Sequence, residues 1–431
     1  MYLKEKLISS FDQSSDHLTF QEYRKENMER FKQAGFPTIR NEEWKYTNLQ
    51  PLLKKEFDLK PKDSTISIEE INEYILKNTD SYLIVFLNGV FQESLSTISA
   101  KSAYIGSLKN IDEKQKNIIE KYWGSCLPKQ SDAFVSVNNG LAQEGAFVYI
   151  PKGIVLDKPL QIVYASKNSS PLFLQSRSLI VVEENGQAQI TERHQNFSDN
   201  EVFTNAVTEI VVKENAIVDF YKIQNDNFNC SLVDNTWVNQ DKNCNCTVDT
   251  FSFGGKITRN NLTFSMKGEH SESNMRGITL IGENQLVDHH TLVDHLVSNC
   301  QSNELYKGIF DFNAKGVFNG KVMVHPDAQK TNAFQSNNNL LLTDNASIDT
   351  KPQLEIYADD VACSHGCTIG QLDDEALFYL RARGIPKKEA QAMLMYAFAN
   401  DVLSNIKIEE LKKKLNLIIA EKIGVELTIE L

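Results

Sequence analysis

Thirty residues after Ile180–Asn185 spells IVVEEN, the chain spells IVVKEN at Ile210–Asn215. Each copy continues into an alternating segment, GQAQIT in the first and AIVDFY in the second. An apolar residue, polar residues, Asn and then a strand-like run return at Ile281–Asp288 (IGENQLVD), Phe312–Asn319 (FNAKGVFN) and Leu342–Asp349 (LTDNASID). Val238–Cys246 reads as a degenerate copy. A fixed period of this size, with no helical pattern inside it, points to a β-solenoid. At about 3.3 Å per residue, one period holds two or three short strands and their turns. Asn at the bend suits the left-handed backbone of a tight turn. The competing architecture is a sandwich whose hairpins resemble one another by coincidence.

The fold class expected is mainly β, a parallel β-helix over 134–369 flanked by helical ends. Residues 1–80 read as a helical region. In it, Thr19 and Glu22 suggest a capping box ahead of a helix that ends at Gly35 and Pro37. A short helix is expected over 66–76, and NEEWKYTNL at 41–49 shows no period. Residues 81–133 form a mixed connection, starting with the strand-like SYLIVFLNGVF. After Gly370 the pattern turns helical, with helices expected over 371–383, 387–406 and 408–422. Leu372, Ala376, Leu377 and Leu380 share one face of the first, and Pro386 suits the start of the second. Ala390–Ala399 (AQAMLMYAFA) is apolar almost all round, so it must be buried or docked.

Charge and motifs exclude several functions. A net charge of −12 argues against nucleic acid and anionic membranes, which recruit clustered Lys and Arg. No apolar run is long enough for a signal peptide or a transmembrane helix, and a cytoplasmic protein is expected. The 7 cysteines are scattered, unlike a disulfide framework, and the first five read as buried thiols. GVFNGKV at 316–322 and GGKI at 254–257 fail as phosphate loops, and no G-x-S-x-G elbow is present. A β-helix carbohydrate enzyme is the alternative, but Asp219, Asp288 and Asp349 recur after turns instead of gathering into one acid cluster. The chain reads as a non-enzyme.

The densest candidate site is Cys363-Ser364-His365-Gly366-Cys367. On a strand, alternate residues share a face, so two thiols and an imidazole would converge, a set suited to zinc, ferrous iron or a cluster. Three ligands leave a tetrahedral site open, so any metal would be transient, water-capped or completed by another chain. The bland reading is a packed junction with Cys as small apolar filler. Asp288–His295 (DHHTLVDH) looks metal-like, but its internal echo LVDH favours a hydrogen-bonded ladder with His289 and His295 on one face. Cys244 and Cys246 form C-x-C with no second pair at zinc-ribbon spacing.

The run AQKTNAFQSNNNLLLTDNASIDTKPQLEIYADDVACSHGCTIGQLDDEALFYLRARGIP resembles the SufD family of the SUF iron–sulfur assembly system, and NEEWKYTNL resembles that family's N-terminal motif. The form C-S-H-G favours SufD over the SufB paralogues, which tend to an acidic E-H-E-A form. The resemblance implies a right-handed parallel β-helix that acts as a scaffold beside a SufB-like paralogue and a SufC-like ABC ATPase. It implies that His365 and Cys363 meet the paralogue, serving nascent cluster assembly or iron entry, with no stably bound cofactor. Cys367 departs from the family, which often has Ala there, so its role stays open. The resemblance also implies that the C-terminal helices dock the ATPase, which makes Leu372, Leu377, Leu380, Pro386, Met393, Leu394, Tyr396 and Phe398 the expected contacts. A SufB-like scaffold acting itself, and a homodimer of the isolated chain, remain alternatives.

Overall fold

β-Branched and aromatic runs bounded by Asn, Asp and Gly become strands where a neighbouring coil can take up their backbone groups. The computed structural model describes residues 3–14, 20–61, 64–109, 111–128 and 132–424. Three short strands lead in: β1 (Tyr82–Leu87), β2 (Val90–Phe91) and β3 (Tyr104–Ser107). The coils then run through β4 (Ala146–Ile150), β5 (Leu160–Ser166), β6 (Leu172–Val182), β7 (Gln187–Asn196), β8 (Val202–Val212), β9 (Ile217–Gln224), β10 (Cys230–Gln240) and β11 (Asn245–Ser252). They continue through β12 (Ile257–Met266), β13 (Glu272–Ile281), β14 (Leu286–His295), β15 (Gln301–Phe310), β16 (Lys315–Val324), β17 (Asn332–Leu341), β18 (Ser347–Ile356) and β19 (Ala362–Gly370).

From β4 on, even-numbered strands build one sheet and odd-numbered strands the other, and each pairs in parallel with the strand one coil away. About 8 coils result, a flattened solenoid with no hairpins between β4 and β19. β1 pairs with β5, so the lead-in segment already extends one of the sheets. In-register residues stack into interior columns. Val148, Ile180, Ile210, Val238, Phe264, Val293 and Val322 form one, each at most 1% exposed.

The corners explain the repeat and correct its phase. Asn185, Asn215 and Asn243 have φ of 56°, 58° and 56° and sit where an even strand turns into an odd one. Their peptides stack, with the Asn185 amide bonded to the Glu214 carbonyl and that of Asn215 to Lys242. Val238–Cys246 thus spans the same corner one coil further on. The copies at Ile281, Phe312 and Leu342 fall at the opposite corner, between odd and even strands. There Glu283 and Phe312 take the left-handed conformation, not the neighbouring Asn. Both corners perform the same turn and select similar residues, so two half-coil-shifted series read as one.

The helices are α1 (Leu3–Ser14), α2 (Gln21–Ala34), α3 (Gln50–Leu53), α4 (Ile68–Asn72), α5 (Glu113–Tyr122), α6 (Ala133–Leu141), α7 (Asp374–Ala382), α8 (Lys387–Leu403) and α9 (Glu409–Ile423). Thr19 lies outside the described residues. α2 follows Phe20 at φ 63°, with no side-chain cap. Capping boxes form instead at Ser67 and Glu70 on α4 and at Asp112 and Gln115 on α5. The two ends cover opposite sheets. Leu7, Met28, Phe31 and Phe134 pack on Phe173, Phe203 and Val233 of the even sheet. Met395, Val402, Leu411 and Leu415 pack on Tyr221, Phe251, Ile278 and Ile309 of the odd sheet.

Candidate functional site

Among the described residues, β19 is the last strand of its sheet and bonds only to β17. The register sets Cys363 beside Ala333, His365 beside Gln335 and Cys367 beside Asn337. Ala333, Gln335 and Asn337 are buried between the sheets, so parallel pairing puts the three candidate residues on the same inner face. No further coil covers that face. Cys363 is half-buried, and His365 and Cys367 are exposed. The Ala362 amide donates to Thr331 O at 2.9 Å. Backbone alternation therefore turns the N–H groups of Cys363, His365 and Cys367 toward the open edge.

The shared face is present, but convergence is not. Same-face neighbours on a strand stand roughly 6.6 Å apart, so the three residues form a row. Among the described residues, no three His, Cys, Asp or Glu side chains form a set that could hold a metal. Burial pushes the Cys363 thiol above its ordinary value, against a smaller lowering by a hydrogen bond with the Ala333 backbone. A thiol in that state becomes a ligand when a metal or cation arrives to stabilise its thiolate.

The other metal-like patterns serve packing. His289 and His295 share the inner face of β14, but each finds a neutral partner. His289 shares hydrogen bonds with Thr279 Oγ1 (3.0 Å) and Asn260 Nδ2 (3.3 Å), and His295 with Ser302 Oγ (2.9 Å). Burial pulls both imidazoles down to about 4. Cys126, Cys230, Cys244, Cys246 and Cys300 are buried, and burial pushes Cys244 up to about 12. Gly316–Val322 lies in β16, not in a phosphate loop.

The recurring acids anchor different parts of the chain. Asp219 takes Lys407 Nζ, from the α8–α9 junction, at 2.8 and 3.0 Å. Asp349 pairs with Lys315 at 3.4 Å. Asp288 receives Arg259 Nη1 at 2.5 Å and the Thr47 hydroxyl, and His290 Nε2 lies 3.1 Å away. Burial alone would raise the Asp288 carboxyl, but Arg259, His290 and Thr47 outweigh it and hold the group well below the usual carboxylate range. NEEWKYTNL is thus a strap over the even sheet. Trp44 is buried under Arg259, and Glu43 reaches His290 at 3.1 Å. It borders a cleft of about 680 Å³ that also includes Trp237 and Lys321.

The C-terminal helices split the expected docking residues. Leu372, Tyr396 and Phe398 pack partly against the chain's own odd sheet, and Lys307 Nζ sits 4.3 Å from the Phe398 ring centre. Leu377, Leu380 and Leu394 are half-buried, and Pro386 is exposed. Met393 is 50% exposed, while Phe378 and Tyr379 of α7 reach 74% and 57%. The last two were not among the expected contacts. Their signal was two aromatic residues side by side on a short helix, too many apolar positions for one buried stripe. Among the described residues, no helix is long and apolar enough to cross a membrane.

Two family models match. Residues 164–398 match the SUF system FeS cluster assembly SufBD core domain, and residues 3–162 match the SufBD protein N-terminal region. An iron–sulfur cluster assembly SufBD family protein of Synechocystis is 32% identical over 390 residues, 88% of this chain and 86% of the relative. SufD of Escherichia coli is 30% identical over 403 residues, 90% of each chain. SufB of Bacillus subtilis is 27% identical over 302 residues, 69% of this chain and 64% of the relative. With full-length likeness to SufD and partial likeness to SufB, the chain belongs to the SufD family of the SufB/SufD superfamily.

Proposed function

We propose that this chain is a non-catalytic scaffold subunit of iron–sulfur cluster assembly in the cytoplasm. It pairs through its open terminal coil with a SufB-like paralogue and carries a SufC-like ABC ATPase on its C-terminal helices. Iron or a nascent cluster is cargo, held between His365 and Cys363 and ligands of the paralogue. The supporting observation is the placement of β19, an uncovered edge strand whose inner face and free backbone N–H groups belong to the same residues. Imidazole and thiolate suit iron, and an incomplete ligand row suits a shared site. The uncovered edge would also accept a second copy of the chain when the paralogue is absent. Phe378, Tyr379 and Met393 offer the ATPase an apolar surface that the chain does not bury itself. ATP-driven approach of the bound ATPases would bring the two solenoid ends together around the cargo.

The test is His365→Ala in the co-expressed complex, with cluster content read by absorbance and iron analysis. Loss of cluster from an intact complex is expected. Full cluster content would overturn the reading of His365.

A further inference from the structure

Beneath His365 the interior column turns polar. Met275, Glu304, Gln335 and His365 follow one another in register on β13, β15, β17 and β19. Glu304 is 4% exposed and Gln335 3%. Gln335 Nε2 donates to Glu304 Oε2 at 2.6 Å. With Glu304 ionised, that bond commits the amide, because its NH2 group faces the carboxylate and its carbonyl must point elsewhere. Gln335 Oε1 is buried and, among the described residues, accepts no hydrogen bond. A buried acceptor without a donor is costly, so a donor within its reach is the expected partner. On the side away from Glu304 the next residue in the column is His365, one strand spacing of about 4.8 Å away on the same face.

We propose that Gln335, oriented by Glu304, is a positioning residue for His365. Its carbonyl accepts the inward ring N–H and so leaves the lone pair of the other ring nitrogen facing the open end. A ligating histidine is commonly held this way, by an acceptor that fixes its tautomer and ring direction. The arrangement explains why polar side chains occupy a column that is Ile190, Phe220 and Val248 in earlier coils. The inference rests on the proposed role of His365 in handling cargo.

The test uses the full chain with ¹⁵N-labelled histidine, and separately the co-expressed complex. At pH above 8 the wild-type His365 ring should show one dominant neutral tautomer by NMR, assigned with His365→Ala. Gln335→Met should give a mixture, and Glu304→Gln a smaller shift the same way, because an amide at 304 no longer forces the orientation at 335. His289 and His295 serve as internal controls, and their unchanged signals show that the coils are intact. In the complex, Gln335→Met should lower cluster content about tenfold, the lower end of the effect of such supporting residues. An unchanged His365 tautomer in Gln335→Met overturns the inference. A changed tautomer with full cluster content in His365→Ala overturns the cargo role instead, so the two failures are distinct.

Discussion

Glu304 shows how a single side chain can act against stability. Burial raises its carboxyl to about 7, against a smaller lowering by the hydrogen bond from Gln335. The folded state therefore binds the proton more tightly than the unfolded state does, whose group titrates near 4.3. That preference stabilises the fold below about pH 4 and is lost as pH rises through 7. Glu304→Gln should gain on the order of 3 kcal/mol over wild type at pH 8 and almost nothing at pH 4.5, read by urea denaturation. His289 and His295 act in the other direction. Their folded values near 4 keep them neutral, so stability is full above about 6.5 and falls as pH drops toward 4. At the corners, Asn215 holds φ 58°, and its amide donates to Asn185 Oδ1 at 3.1 Å. Asn215→Val should cost about 1–2 kcal/mol, while Asn215→Gly should stay close to wild type in thermal unfolding.

The elements that close the ends depend on which face of the solenoid they find. α8 is apolar on nearly all sides, yet only one side is used: Ala392, Met395, Ala399, Val402 and Leu403 are buried, while Met393 is not. Lys407 on Asp219 ties the turn before α9 to β9, and Leu411 of α9 is fully buried. Leu411→Ala should cost about 2–5 kcal/mol. Its effect should appear as faster amide exchange in α8 and α9, with β9–β15 still protected, because each coil is held mainly by its neighbours. The repeat itself was readable because corners are local: polar residues recur at them, with a left-handed position at many. The half-coil shift between the series at Ile180 and Ile281 was not readable. Only strand pairing distinguishes one corner from the other.

At the scale of the whole molecule, stacking leaves two uncovered edges at the last coil, β18 and β19, and uncovered edges invite strand addition. Ile369 is 49% exposed, and alternation from Ala362 directs its N–H to the open side. Ile369→Pro should leave the β17–β19 ladder intact and weaken association with the paralogue at least tenfold in a titration by light scattering or calorimetry. Equal affinity in this variant would show that the partner meets the coil by another surface.

Period, the Asn corners at 185 and 215, helical ends and the alternation that gives Cys363, His365 and Cys367 a common face were legible, because each depends on residues near one another in the chain. The ligand row was misread as convergent because a one-strand argument assigns sides without distances. Which face lies open, which apolar residues of α8 are already taken, and what stands beneath His365 depended on contacts between distant segments. Asp288 meets Thr47, Lys407 meets Asp219, and Gln335 meets Glu304 with His365 next in register. Such contacts are set by how coils stack and where the ends fold back, and no local pattern encodes them.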